Sequence, residues 1–185
     1  MTTETEKQEA VAIVTKVDPI ARAMEKLNRK SVDVTVPVNL SMVEMLKSTI
    51  ESLRESKSEN KESSIKEAEQ QIAALEKDSI VGTLVPLKSA DMLVVHGFVT
   101  EVGLKVKEHG IDLDVQLFLL SKAERCGIAY LALRERDNHG VRYFKSQEDV
   151  AMIDDQTTRH LARIYSESFV LTEEERKNLY GAPRS

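Results

Sequence analysis

Short runs of strand character occur twice in the first half of the chain, and helical spacing governs the rest. Val32, Val34, Val36 and Val38 alternate with Asp33, Thr35 and Pro37, the period-two pattern of a strand with one buried face. Pro37 has no ladder donor, so an edge or a strand end suits it. Ile80, Val81, Leu84, Val85 and Leu87 form the second run, broken by Gly82 and Pro86. Between them, Met42, Met45, Leu46, Thr49, Ile50 and Leu53 share one helical face, and Ile65, Ala68, Ile72 and Leu75 share another. The stretch Arg54–Ser64 has no apolar residue and reads as a solvated tip. These spacings predict two helices folded back as an antiparallel hairpin. The two apolar runs then meet as a two-stranded antiparallel sheet at its root. Two strands alone are marginal in water, so a helix must lie across them.

The flanking elements follow from caps and breakers. Met1 to about Ala10 is polar and reads as a disordered tail. Asp18 followed by Pro19 predicts a short helix to Arg29. Ser41 with Glu44 reads as a capping box for the first hairpin helix. Ser89 caps a helix in which Met92, Val95, Phe98, Val99, Val102 and Val106 share a face, with Gly110 ending it. Gly97 and Gly103 each cost about 1 kcal/mol inside a helix, and the valines suit a strand as well. A longer apolar helix is expected from Asp112 to Arg136, then a turn at Asp137–Gly140 and an extended Val141–Phe144. Ser146 with Asp149 caps a short helix through Ile153, and Asp154 or Asp155 caps the next. Thr172 with Glu175 caps the last, before a turn near Gly181-Ala182-Pro183. The expected fold is mainly α: a helical body with a protruding antiparallel helical hairpin rooted in a small two-stranded antiparallel sheet. The expected division is a tail with a short helix (1–30), a strand–hairpin–strand segment (31–88) and a helical body (89–185).

Composition narrows the function classes. The chain has 185 residues, 26 Lys+Arg against 31 Asp+Glu, and a net charge of −5. That balance argues against a phosphate-neutralising surface and hence against a nucleic-acid partner. Four Phe, four Tyr and no Trp leave little material for base-stacking platforms. No window approaches 18 uncharged apolar residues, which argues against a membrane role. A lone Cys126 among apolar neighbours reads as a buried thiol of a reducing compartment.

The search for chemistry points away from an enzyme. The phosphate-cradling, dinucleotide, nucleophile-elbow and H-E-x-x-H motifs are all missing from the sequence. His96, His109, His139 and His160 are scattered, whereas zinc ligands come in close pairs. Setting Gly140 at the invariant glycine of a calcium loop puts Glu135, Asp137 and His139 at ligand positions. Ser146 then stands where a bidentate Glu is required. Asp112 and Asp114 lie at a helix start, where carboxylates favour the dipole. The sequence therefore predicts no catalytic residues, no cofactor and no metal.

The C-terminal half has a cadence of its own. I-A-Y-L-A-L-R-E-R-D (Ile128–Asp137) runs into N-H-G and V-R-Y-F. S-Q-E-D-V-A-M-I (Ser146–Ile153) follows, then H-L-A-R-I-Y (His160–Tyr165) and L-T-E-E-E. Over roughly Ala123–Asn178 this resembles the tail assembly chaperones of long-tailed bacteriophages, which share a helix, a D-x-x-G turn, a stretch ending in Phe, a capped E-D-V segment and a closing helix. The N-terminal half is similar to longer members, with a charged helical hairpin between two short strands. The resemblance implies a non-catalytic protein of the host cell cytoplasm. It would bind the long, apolar, helical tape-measure protein, keep it soluble and help recruit tail tube protein, as a monomer or a homo-oligomer. Tyr143, Phe144, Leu161, Ile164, Tyr165 and Phe169 are the implied partner-binding anchors; the other reading of these six is that they close the protein's own core. The alternative function is a structural virion or adaptor protein that assembles through the helical arm.

Overall fold

The computed structural model describes residues 18–56 and 60–180. The expected tail over residues 1–10 and the turn near residues 181–183 lie outside these. The chain divides into two compact units, one spanning Arg29–Val170 and one drawn from the segments up to Asn28 and from Leu171 onward.

In the larger unit, β1 (Val32–Pro37), β2 (Ser79–Leu84) and β3 (Leu133–Glu135) form an antiparallel sheet in the order β1-β2-β3. The expected two-stranded sheet is therefore three-stranded. The third strand comes from the end of the long apolar helix, which stops at Ala132 instead of reaching Arg136. Gly82 explains why β3 fits there. A Cβ at that position would lie 2.7 Å from the Arg134 carbonyl oxygen and 3.1 Å from the Leu133 side chain, so only glycine allows so close an approach. Val34, Val36, Ile80, Leu84 and Leu133 point into the main core, where they meet Val95, Leu131, Val150, Leu161 and Tyr165.

Helix α2 (Leu40–Glu55) follows β1, and α3 (Lys61–Lys77) precedes β2. They pack on one another around Leu46, Ile50 and Ala68, with Ile65, Ile72 and Leu75 beside them. The cap of α2 is Asn39, whose Oδ1 accepts from the Met42 N–H, and not Ser41. Ser41 is drawn elsewhere: its backbone N–H (3.0 Å) and its hydroxyl both donate to Asp154. A tertiary partner thus displaces the local capping box.

The valine-rich segment is helical, α4 (Ser89–Glu108); its cap is Lys88 and not Ser89, and the Asp91 carboxylate accepts from the Lys88 N–H at its start. Gly110, at φ +58°, turns the chain out of it, a conformation glycine adopts without strain. Helix α5 (Leu113–Ala132) starts at Asp112 and packs along α4. A Cβ on Gly127 would stand 3.2 Å from Phe98 and 3.3 Å from Val95, so the glycine sets how closely the two helices approach. Ser146 and Asp149 cap each other's backbone at α6 (Gln147–Ala151), two residues shorter than expected.

Asp154 caps α7 (Asp155–Phe169). Buried Thr157 ties this helix to the β1–α2 junction: its Oγ1 accepts from the Leu40 N–H and reaches the Pro37 and Val38 carbonyls. Burial would raise the Asp154 carboxyl, but donors from Ser41 and Thr157 hold it below the usual value.

The smaller unit pairs α1 (Pro19–Asn28) with α8 (Glu173–Tyr180). Asp18 accepts from the Ile20 N–H, and Thr172 and Glu175 cap each other as the sequence predicts. Lys26 reaches Glu175 at 2.9 Å. The Thr172 N–H, followed by Lys26, holds the Glu175 carboxyl below its ordinary value.

Candidate partner-binding surface

The six anchors implied by the resemblance are brought together by the fold, but they face inward. Leu161 and Tyr165 are buried, and Tyr143, Phe144, Ile164 and Phe169 pack half-buried against the same core. Tyr143 and Phe144 meet edge to face at 5.0 Å, and Tyr165 and Phe169 at 5.4 Å. The Tyr165 hydroxyl accepts from the Leu87 N–H at 3.1 Å, and burial pushes its pKa up. These side chains pack against the protein's own core, and an exposed apolar surface lies elsewhere.

That surface is carried by α4 and the first half of α5. Leu93 is 71% exposed, Leu104 59%, Leu113 66% and Leu117 58%, with Val94, Val115 and Phe118 also exposed. The cause is local. L-D-V-Q-L-F-L-L (Leu113–Leu120) places apolar side chains all round the helix, and Leu113, Val115, Leu117 and Phe118 stay exposed beside its packing on α4. Val106 turns inward; the leucines on the other faces remain in water. Sequence reasoning missed them by looking for one stripe per helix. The legible signal was the excess, since six apolar residues in eight cannot share one face.

Beside this surface, α4, α5 and α6 enclose an open cleft of about 370 Å³. Phe98, Val102, Leu119, Ala123 and Cys126 form its apolar wall. Lys105, Glu101, Lys122 and Glu148 stand around it. Lys105 donates to Glu101 at 2.7 Å, which lowers the Glu101 pKa and raises that of Lys105. Burial pushes the Cys126 thiol up, the opposite of what a thiolate nucleophile needs. The carboxylates with the firmest partners are structural. Arg125 (2.7 Å) and Arg159 (2.6 Å) both donate to Asp155 at the start of α7, and they hold its carboxyl low against the raising effect of burial.

Among the described residues, no group of three or more His, Cys, Asp or Glu side chains could hold a metal ion. No helix among them is long and apolar enough to cross a membrane. No protein-family model matches the chain, and neither curated proteins nor solved structures provide a significant match.

Proposed function

We propose that this chain is a tail assembly chaperone of a long-tailed bacteriophage. In the host cell cytoplasm it binds the helical tape-measure protein and keeps it soluble until tail tube protein assembles around it. The observation that supports this reading is the set of exposed apolar side chains on α4 and α5, Leu104, Leu113 and Leu117 among them. An elongated helix with apolar stripes self-associates unless those stripes are covered, and a second helical surface of matching character covers them. Burial returns about 25 cal/mol per Å² of apolar area removed from water, so several leucines suffice for a reversible grip. The α2–α3 pair acts here as an antiparallel arm whose charged exterior stays in water and maintains solubility.

The test is co-expression of the full chain with the tape-measure protein of the same phage. Soluble tape-measure protein should rise with the wild-type chain and fall back with the double variant Leu104→Gln/Leu117→Gln. The variant's own unfolding midpoint should stay close to wild type, because exposed substitutions usually change stability by about 0.5 kcal/mol or less. Equal insolubility with and without the wild-type chain overturns the proposal. The alternative, a structural protein assembling through the arm, requires the chain to persist in purified particles.

A further inference from the structure

The outward face of the sheet carries a cross-strand row unrelated to the apolar surface. Asp33 stands opposite Thr83, Thr83 opposite Arg134, and Arg134 opposite Arg142 across an isolated bridge. The Tyr143 N–H donates to the Leu133 carbonyl at 3.1 Å and the Glu135 N–H to the Val141 carbonyl at 3.0 Å. Those bonds flank Arg134 and Arg142, which therefore form the non-hydrogen-bonded kind of antiparallel pair. In that pairing the side chains leave the same face at their closest spacing, and like charges directly opposite repel.

The row begins with its charges met and ends on two arginines, one of which has a guanidinium nitrogen without an acceptor among the described residues. Thr83 Oγ1 donates to Asp33 Oδ1 at 2.7 Å, and Asp33 also faces Arg136 at 3.7 Å. Arg142 is held in place by Tyr130: its Nη1 donates to the hydroxyl at 2.9 Å, and its guanidinium lies 4.8 Å from the ring centroid. The Nη1 of Arg134 is buried without an acceptor among the described residues. Burial, followed by the charge of Arg142, disfavours the Arg134 cation, with Asp91 opposing. Asp91 is itself engaged, accepting from the Lys88 N–H at 3.0 Å. Guanidinium does not give up its proton in proteins, so the two charges persist side by side. What relieves such a pair is an oxyanion that accepts from both forks at once.

We propose that Arg134 and Arg142 form a two-arginine clamp for a single oxyanion, either a phosphate group or a carboxylate. Tyr130 orients one fork, and the β2–β3 ladder fixes the backbone beneath the other. The assignment stands independently of the chaperone reading. It is tested on the full chain by following the arginine side-chain N–H resonances by NMR. Inorganic phosphate and acetate are titrated separately at constant ionic strength, with chloride as the reference. A saturable shift of the Arg134 and Arg142 signals is expected. The apparent affinity should weaken about tenfold or more in Arg142→Gln, and less in Arg142→Lys, which keeps the charge and loses the fork. Response to phosphate alone assigns the site to a phosphate group, and comparable response to acetate assigns it to a carboxylate. Absence of saturation with both anions, or equal affinity in wild type and Arg142→Gln, overturns the clamp. Tyr130→Phe, which leaves both charges in place, provides the second variant and should weaken binding by a smaller factor.

Discussion

The α2–α3 and α4–α5 pairs are built alike and finished in opposite ways. Each consists of two neighbouring helices packed along an apolar seam, Leu46, Ile50 and Ala68 in the first pair and Val95, Phe98 and Gly127 in the second. Outside the seam, α3 carries seven charged residues in 17, whereas Leu113–Leu120 carries one in eight. The exposed large apolar residues of the first pair are Met42 and Met45; the second exposes Leu93, Val94, Leu104, Leu113, Val115, Leu117 and Phe118. Helix pairing needs only the inward stripe, so the outer faces are free to differ, charged in one pair and apolar in the other. The seams also differ in their dependence on the rest of the fold. The α2–α3 cluster is separate from the main core, whereas the second half of α5 contributes Cys126, Ile128, Ala129 and Leu131 to it.

That separation makes the largest prediction. Ile50→Ala should destabilise the α2–α3 pair by about 2–5 kcal/mol, towards the lower end because so small a cluster can collapse around the lost atoms. The loss should be local. Amide exchange is expected to accelerate throughout α2 and α3 while the amides of α5 and α7 keep wild-type protection. Equal acceleration in α5 would mean that the two pairs share one cooperative unit, and the contrast between them would be energetic fiction.

Much of this organisation can be read from the chain, and the misreadings have physical causes. The inward stripes of α2 and α3, the valine strand and the caps at Asp18, Ser146, Asp154 and Thr172 all rest on contacts between near neighbours, which periodicity and cap chemistry record directly. Ser41 fits a capping box equally well, but its hydroxyl and N–H bond to Asp154 across the fold, a partner 113 positions away that no local pattern encodes. The end of α5 was misread for a similar reason. Leu131-Ala132-Leu133 continues the helical run, and only the glycine at position 82, in another strand, opens the space for β3. The exposed leucines escape a search for one apolar stripe per helix, because six apolar residues in eight (Leu113–Leu120) exceed what one stripe can hold.

The Asp154 junction yields the intermediate prediction, because together with the Thr157–Leu40 hydrogen bond it is a polar link between α2 and the body. Asp154→Ala removes the cap of α7 and the acceptor for Ser41, a loss of about 1–2 kcal/mol. The sign of the pH dependence follows from the depressed Asp154 carboxyl. A group whose pKa is lower in the folded state stabilises it above the ordinary carboxyl value, and that contribution fades as pH falls through this value towards the folded one. Wild-type unfolding midpoints should therefore drop between roughly pH 5 and pH 3. The gap to Asp154→Ala should narrow over the same interval. A gap that stays constant down to pH 3 would mean that the carboxylate contributes through shape alone.

The smallest effect is expected where the structure displays its charges most openly. Lys47–Glu76 at 3.7 Å and Arg54–Glu69 at 3.8 Å cross between α2 and α3, and all four side chains are about half exposed or more. Water and salt screen such pairs, and holding long side chains in one geometry offsets most of the attraction, leaving about 0–1 kcal/mol each. A double-mutant cycle on Arg54→Ala and Glu69→Ala should give a coupling within that range that shrinks further when salt is raised. If it instead exceeds the loss from Ile50→Ala, the pair is held by its ions and not by its seam. The charged exterior would then be a structural necessity, and its difference from the leucines of α4 and α5 would no longer show that outer faces are free to differ.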